Sequence, residues 1–161
     1  MINQIIQGDC LEIMKQIPDE SVDVCLTSPP YYGLRDYGVD GQIGLENHHD
    51  LYLDKLSEIF KECQRVLKKS VSIWIVIGDS YSSNSPKDRK VLNNDKSKHP
   101  LIVRSGIKSK CLLLIPHRLI LRMVDDGWII RNDVVWLKLN AMPSSVTDRL
   151  KNSYEHIIFA V

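Results

Sequence analysis

The sequence predicts an α/β fold: a doubly wound, mostly parallel sheet with an antiparallel hairpin at one edge. Along most of the chain, apolar β-rich segments alternate with segments of helical periodicity, a pattern typical of parallel sheets. The last two strand-like segments have no helix between them, so we expect them to pair antiparallel. With 161 residues, the chain has the length of one domain.

The N-terminal segment predicts a strand, a helix and a second strand. Residues 3–8 (NQIIQG) read as a short strand that ends at Asp9. Residues 10–17 (CLEIMKQI) read as a short helix, because the apolar side chains lie on one face and Pro18 closes it. Residues 21–27 (SVDVCLT) are rich in β-formers, and this strand stops where two prolines follow.

The clearest helix of the sequence covers residues 51–69. Apolar side chains recur there at helical spacing, and Lys68 and Lys69 suit the C-terminal end of the helix dipole. Residues 71–78 (VSIWIVIG) follow as a nearly all-apolar run, which predicts a parallel strand covered on both faces.

The C-terminal third predicts one helix and the two strands of the edge hairpin. Residues 112–127 form the helix, with Pro116 near its first turn and Gly127 as its stop. Residues 128–138 and 154–161 form the strands, and a polar loop joins them.

Composition singles out no special class of protein. Hydrophobic residues make up 43% and charged residues 25% of the chain, and the net charge of +1 points to no partner. The four cysteines lack metal-ligand spacing, which favours buried, reduced thiols in a cytoplasmic protein and no metal site. The sequence contains no signal-like segment and no apolar run long enough to span a bilayer, so we expect no membrane partner.

Residues 79–110 break the alternation of helices and strands. Between residues 85 and 110, eight Lys and Arg residues stand against two Asp residues, a net charge of +6. Long polar loops inside compact domains are usually functional or disordered. Two interpretations stay open: a mobile solvated loop, or a segment that becomes ordered on a polyanion.

Three polar residues, Asp9, Ser28 and Asp79, each follow a predicted strand. In open α/β sheets, ligands bind beyond the carboxyl ends of the strands. We therefore expect two carboxylates and a hydroxyl along one edge of the sheet.

The stretch TSPPYY, residues 27–32, ends its strand abruptly. Pro29 and Pro30 fix φ and carry no N–H, so their carbonyls can be presented as hydrogen-bond acceptors. The Ser28 hydroxyl and the Pro29 carbonyl, beside the Tyr31 ring, suit a flat substrate that bears an amino group. A Pro-Pro turn with a packed tyrosine is the alternative interpretation.

The longer stretch TSPPYYGLRDYG resembles the catalytic motif of amino-group DNA methyltransferases, which modify cytosine N4 or adenine N6 with S-adenosylmethionine. The resemblance extends, in that family's order, through GDCLEIMKQIPDESVDVCLTSPPYY, ECQRVLKKSVSIWIVIGDSY and residues 115–161. It implies a Rossmann-like methyltransferase fold and a site-specific enzyme of bacterial, archaeal or phage restriction-modification. Double-stranded DNA is the implied partner.

The resemblance also implies roles for individual residues. Asp9 would accept a hydrogen bond from the adenine amino group of the cofactor. Asp79 is a weaker cofactor candidate, since a helix-capping or turn aspartate is an equal alternative. The implied catalytic motif is Ser28, Pro29, Pro30 and Tyr31; the other implied cofactor contacts are Cys10 and Thr27; the implied base or DNA contacts are Tyr32, Trp136, Lys138 and Arg149.

One element of that family is missing from the sequence. The family normally continues with a target-recognition region and then a Phe-x-Gly-x-Gly loop that holds the methionine end of the cofactor, and no such loop occurs here. The resemblance thus implies that residues 1–161 are the catalytic half of a methyltransferase domain, without the sheet's first and second strands. We expect weak cofactor binding by this half alone, and pairing with a complementary chain or as a homodimer.

The choice of base depends on Ser28. In the resembled family, Ser before the prolines favours cytosine N4 and Asp favours adenine N6, so the sequence predicts cytosine-N4 methylation. Adenine-N6 methylation is one alternative, and an inactive or split half that only binds DNA is another.

Overall fold

A computed structural model of the chain describes residues 3–82, 107–141 and 143–161. Its helices and strands alternate as the sequence predicts. Their bounds in chain order are α1 Cys10–Met14, β1 Val22–Thr27, α2 His49–Val66, β2 Leu67–Ile77, α3 Ile115–Asp125, β3 Ile130–Leu137 and β4 Tyr154–Ala160.

The strands form one open sheet in the order β1-β2-β4-β3. β1 pairs parallel with β2, and β4 pairs antiparallel with both β2 and β3. β1, β2 and β3 therefore run in one direction and only β4 is reversed. The predicted α/β fold with an antiparallel hairpin at its edge is confirmed.

One face of the sheet carries the core. Ile73, Ile75 and Ile77 of β2 alternate along the strand and are fully buried on this face. The helices that cover it are α1, α2 and α3: the Sγ atoms of Cys25 on β1 and Cys63 on α2 lie 3.9 Å apart, and Cys63 also reaches Met14 of α1. α3 packs on α2 and brings His117 against His156 of β4.

The opposite face of the sheet is open among the described residues. The pairing register puts Val24 and Leu26 of β1 on this face, next to Trp74 of β2 and Phe159 of β4. Leu26 is 74% exposed, and the Trp74 and Phe159 rings stack at a centroid distance of 4.3 Å. The prediction that β2 is covered on both faces is therefore not met by the helices described here.

Two boundary predictions are wrong. Residues 3–8 are not a strand, because β1 has no second neighbour in the described part of the sheet and Ile5 is fully exposed. α2 ends at Val66, because Leu67 already takes an extended conformation and pairs with Val22. Lys68 and Lys69 consequently lie in β2 and not in a last helical turn.

The cysteine prediction is wrong for two of the four thiols. All four are free, but Cys10 and Cys111 are exposed, while Cys25 is half-buried and Cys63 is buried. Within the described ranges, no helix is long and apolar enough to cross a membrane. The expected basic loop lies mostly outside the described residues, which stop at 82 and resume at 107.

Candidate active site at the carboxyl edge of the sheet

The TSPPYY stretch leaves the sheet at the carboxyl end of β1, as predicted. β1 ends at Thr27, and Ser28 is exposed immediately beyond it. The buried Tyr52 of α2 donates a hydrogen bond from its hydroxyl to the Pro30 carbonyl at 2.8 Å. The rigid proline pair is thus anchored to the core, which holds Ser28 in a defined position at the edge.

Tyr31 lies across the end of β2. Its ring packs so closely on Gly78 that a Cβ atom at that position would lie 2.7 Å from Tyr31 Cε2. Burial raises the pKa of the Tyr31 phenol to about 12; the nearby Ser28 hydroxyl acts to lower that pKa, and the Glu155 carboxylate acts to raise it. The ring is therefore held in place by its packing on Gly78.

Two small cavities meet at Tyr31 and Glu155. The first has a volume of about 270 Å³ and is lined by Ser28, Pro29, Pro30, Tyr31, Leu34, Arg35, Tyr37 and Glu155. The second has a volume of about 190 Å³ and is lined by Tyr31, Leu34, Gly78, Asp79, Lys138, Asn152, Tyr154, Glu155 and His156. Pockets that bind small ligands combine apolar walls with a few polar groups in this way.

Glu155 is the site residue that sequence reasoning missed. It follows Tyr154 at the start of β4 and pairs with Trp136 across the hairpin, on the open face. Its side chain is only 15% exposed, and its carboxylate forms an ion pair with Lys138. The available signal was a lone carboxylate at the start of an apolar strand, which becomes meaningful only once β4 is known to lie beside β2.

Asp79 caps a helix and also faces the second cavity. Oδ1 accepts hydrogen bonds from the amides of Ser80 and Ile115, the latter at 3.0 Å, so Asp79 serves the first turn of α3. The helix's own cap residue, Leu114, supplies no side-chain acceptor. Oδ2 is buried without a hydrogen-bond partner among the described residues, and burial raises the pKa of this carboxyl.

The predicted cofactor residues near the N-terminus lie on α1. Asp9 is the N-cap: its Oδ1 accepts hydrogen bonds from the amides of Leu11 and Glu12. Partial desolvation of its Sγ atom and the charge of Asp9 raise the pKa of the otherwise exposed Cys10 thiol. Thr27, half-buried at the end of β1, adjoins Ser28 directly. A structural role is thus evident for Asp9, and a cofactor role for these three residues stays a prediction.

The predicted DNA-contact residues differ in exposure. Tyr32 lies in the core: it is 1% exposed, packs on Tyr52 and donates its hydroxyl hydrogen to the Glu46 carbonyl, so its ring is not presented at the surface. Trp136 is 48% exposed on the open face, and the Lys138 ammonium lies 5.4 Å from its ring centroid. Lys138 lines the second cavity, and Trp136 pairs across the hairpin with Glu155, which lines both cavities.

Arg149 lies against Tyr81, with its guanidinium carbon 3.4 Å from the ring centroid. Tyr81 in turn donates to Asn152, which lines the second cavity. The Arg149 cation is thus held near the edge of the site by stacking on an aromatic ring.

Two groups of described side chains could hold a metal ion by proximity: His48, His49 and Asp50, and His117, Asp133 and His156. In the second group, His156 Nδ1 and Asp133 Oδ1 are paired at 2.8 Å. In the first group, His48 Nδ1 accepts the Asp50 amide as the N-cap of α2. One histidine nitrogen of each group is thus already engaged by the protein, and neither group is assigned as a metal site.

Comparison with known proteins defines the class to which this fold and edge site belong. The sequence profile of the N6/N4 methyltransferase family, described as DNA methylase, matches residues 22–161. The chain therefore belongs to the DNA methylase family of N6 and N4 methyltransferases.

Sequence relatives agree with that assignment. The type II methyltransferase M.Cfr9I of Citrobacter freundii is 41% identical over 157 residues, covering 95% of this chain and 52% of the relative. M.SmaI of Serratia marcescens is 40% identical over 158 residues, covering 96% of this chain and 54% of the relative. The chain thus spans about half the length of the curated relatives it matches.

Solved structures confirm the methyltransferase fold. PvuII DNA methyltransferase (cytosine-N4-specific) superposes with a TM-score of 0.66 at 18% identity, covering 95% of this chain and 46% of that one. The Thermus thermophilus protein TTHA0409, complexed with S-adenosyl-L-methionine, gives a TM-score of 0.63 at 22% identity, covering 95% of this chain and 52% of that one. At these identities the likeness concerns the fold alone.

Proposed function

We propose that this chain carries the target-base half of an S-adenosylmethionine-dependent DNA methyltransferase that modifies cytosine N4. The observation that carries the proposal is the position of Ser28, Pro29, Pro30 and Tyr31: they leave the carboxyl edge of β1 as an anchored turn and line one small cavity. The 41% identity to a type II methyltransferase and the family match support it.

The chemistry follows from the hydrogen-bond acceptors of this turn. The amino nitrogen of cytosine is a poor nucleophile, because its lone pair is conjugated with the ring. Hydrogen bonds from its two N–H groups to the Ser28 oxygen and the Pro29 carbonyl draw the nitrogen towards tetrahedral geometry and free the lone pair. The same acceptors stabilise the positive charge that develops on nitrogen during transfer, and a fixed alignment supplies much of the rate.

The residues present fit one part of the cofactor. The buried Asp79 Oδ2, without a protein partner among the described residues, offers an acceptor to a donor group of a ligand. Asp9, Cys10 and Thr27 are the other proposed cofactor contacts. When bound, S-adenosylmethionine supplies an electrophilic methyl group. The sequence contains no Phe-x-Gly-x-Gly loop, so we propose that a complementary segment, in the same or another chain, completes the cofactor site. Pairing with a second copy of this chain is the alternative.

Double-stranded DNA is the proposed substrate. A base inside a duplex must be flipped out, and stacking on an aromatic ring offsets part of the cost. Tyr31, fixed over Gly78, and the exposed Trp136 are the proposed stacking rings. Lys138 and Arg149, together with the basic segment between residues 85 and 110, would contact phosphates and so provide affinity without sequence choice.

The test is methyl transfer by the chain co-expressed with the complementary segment of the Citrobacter freundii relative, with the chain alone in parallel. Tritium transfer to DNA, followed by nucleoside analysis, identifies N4-methylcytosine or N6-methyladenine. We expect N4-methylcytosine from the pair and little transfer by the chain alone. N6-methyladenine would reassign the base, and no transfer by either preparation would favour a split half that only binds DNA.

Ser28→Ala is the matched variant. It should abolish transfer and leave cofactor affinity, measured by titration calorimetry, within about twofold, because Ser28 contacts the base and not the cofactor. Transfer above about a tenth of the parent rate, equivalent to less than ~1.4 kcal/mol of barrier, would remove Ser28 from this role.

A further inference from the structure

We propose that Met14, Cys25 and Cys63 form a binding site for a soft monovalent cation of the Cu(I) class between α1, β1 and α2. Unlike the two histidine groups described above, this cluster offers sulfur donors only: one thioether and two thiols. None of its residues lines the two cavities of the candidate active site. The site is therefore independent of the proposed methyl transfer.

The Cys63 sulfur contacts the other two sulfur atoms. Cys25 Sγ lies 3.9 Å from Cys63 Sγ, and Met14 Sδ lies 3.7 Å from it. Sulfur atoms that share one metal ion at about 2.3 Å lie about 3.8 Å apart in a tetrahedral arrangement and about 4.0 Å apart in a trigonal one. Both observed separations match those of metal ligands, and the flexible Met14 side chain can turn to complete a triangle.

Three different elements bring these sulfurs together. Cys63 is buried on α2, Cys25 is half-buried on β1, and Met14 is the last residue of α1. Arg65 of α2 donates hydrogen bonds to the Met14 carbonyl at 2.7 Å and to the Ile17 carbonyl at 3.0 Å. The position of Met14 is therefore set by contacts with α2 and not by the short helix α1 alone.

The donor set selects the ion. Thiolate and thioether sulfurs are soft ligands that favour Cu(I). Structural zinc sites use four ligands drawn from thiolates, imidazoles and carboxylates. Within the described part of the chain, no histidine, carboxylate or third cysteine joins these sulfurs in a ligand group. Three sulfur donors without a fourth ligand thus favour Cu(I) over Zn²⁺.

Binding requires the loss of the thiol protons, because the thiolate is the form that binds metals. The hydrogen bond with Cys63 lowers the pKa of the Cys25 thiol, so Cys25 is the first of the two to ionise. The ion then forms two bonds to thiolates and one to the Met14 thioether, and two protons leave to solvent. Copper enters and stays as Cu(I), so no electron is transferred.

The cation has a route to the cluster beneath α1. This helix has five residues and none of them is buried, whereas Cys63 is 4% exposed. Segments with few buried contacts open at low free-energy cost. A bound ion would join α1 to β1 and α2, and should therefore hold α1 closed.

Spacing along the chain could not reveal this cluster. Cys25 and Cys63 are 38 positions apart, and they meet only because α2 packs on the sheet beside β1. The cysteine patterns by which metal sites are read from a sequence also leave out methionine. The expectation of no metal site rested on that spacing alone.

The test is an anaerobic competition for Cu(I) between the purified chain and the chelator bathocuproine disulfonate, with ascorbate as the reductant. We expect one Cu(I) to be retained per chain. Cys25→Ala and Cys63→Ala should each weaken binding by more than about 100-fold, because the loss of even an outer partner of a ligand costs about 10- to 100-fold. Met14→Leu keeps the side-chain volume and should weaken binding by about 10-fold.

The matched control is Cys10→Ser/Cys111→Ser, which removes the two exposed thiols and should leave the affinity unchanged. Loss of binding in this control would show that exposed thiols hold the ion and would overturn the proposal. Retained binding in Cys25→Ala/Cys63→Ala, displacement of Cu(I) by an equal concentration of Zn²⁺, or a Cys25–Cys63 disulfide formed during the titration would do the same.

Two further measurements use the unaltered chain and so do not depend on the folding of a variant. X-ray absorption at the copper edge should show sulfur neighbours at about 2.3 Å, and nitrogen or oxygen neighbours would refute the site. Loading should slow hydrogen exchange of the Lys15 amide at the end of α1 and leave the Arg118 amide of α3 unchanged. Equal slowing, or none, would place the ion elsewhere. Neither measurement needs DNA or S-adenosylmethionine, so its outcome is separate from that of the proposed function.

Discussion

The two faces of the sheet are built from the same strands and differ sharply in their surroundings. On the helix-covered face, Ile73, Ile75 and Ile77 are fully buried under α2 and α3. On the open face, Leu26 and Val24 are more than half exposed in the described structure. Since side chains alternate along a strand, each strand contributes to both environments.

This difference assigns folding stability to the covered face and association with other segments to the open face. Burial of apolar area on the covered face supplies the folding free energy. The open face combines exposed apolar side chains with the stacked Trp74 and Phe159, and contiguous apolar patches of this kind mark interaction sites. It therefore suits the complementary segment that the proposed function requires.

The largest effect should come from the covered face. Phe60→Ala on α2 should lower the free energy of unfolding by about 3–5 kcal/mol, because a fully buried ring leaves a cavity. Leu26→Ala on the open face is the control and should cost less than about 1 kcal/mol. Urea unfolding of both variants measures the contrast, and equal losses would show that the open face is covered in solution.

At the carboxyl edge of the sheet, Gly78→Ala should lower the free energy of unfolding by about 1–3 kcal/mol, because its new Cβ overlaps the Tyr31 ring. It should also abolish methyl transfer by the co-expressed pair. The double variant Gly78→Ala/Tyr31→Ala relieves the overlap. Its loss of stability should be smaller than the sum of the two single losses, and strict additivity would mean that the contact is not formed.

Asp79→Ala should lower the free energy of unfolding by about 1 kcal/mol, since α3 loses the side chain that caps its first turn. Asp79→Asn keeps a hydrogen-bond acceptor for the helix amide and removes only the charge. Burial raises the folded pKa of Asp79 above its usual 3.8, so the folded state binds more protons between those two pKa values.

The contribution of Asp79 to stability falls as pH rises from 3.8 towards the raised pKa of the folded state, and it is most favourable at low pH. Asp79→Asn should remove this pH dependence, so that the stability of the variant rises relative to that of the parent as pH increases. Thermal unfolding from about pH 3 to about pH 7 covers this range. A variant whose stability falls relative to the parent towards neutral pH would contradict the burial argument.

The smallest effect on folding should come from Leu26→Glu on the open face, within about 0.5 kcal/mol in either direction. Its effect on association should be larger. Binding of the complementary segment should weaken, because a charge is placed in an apolar contact. The exposed Glu58→Lys serves as the control for a change of charge, and retained binding in Leu26→Glu would exclude the open face as the contact surface.

Sequence reasoning located the site's turn and most of the elements because the signals were local. Helical spacing identified α2 and α3, and the proline pair marked the end of β1. Errors arose where tertiary contacts decide. Lys68 and Lys69 follow a helical pattern, yet pairing between Leu67 and Val22 draws them into β2.

The candidate site shows the same limit. Tyr31 and Tyr32 are adjacent and chemically identical, and nothing local separates a cavity-lining ring from a core ring. Packing on Tyr52 decides the position of Tyr32, and the gap left by Gly78 decides that of Tyr31. Glu155 was overlooked because it is far from Tyr31 in the chain and meets it only through the strand order.

The capping of α3 by Asp79 couples the first turn of this helix to the segment that follows β2. The first turn of α3 depends on a residue at the end of β2, so fraying of that turn and loosening of the site should occur as one local unfolding event. Hydrogen exchange of the Ile115 amide then reports on the candidate site from within a helix. A ligand that orders Asp79 should slow this exchange, and the helix would register occupancy of the site without contacting the ligand.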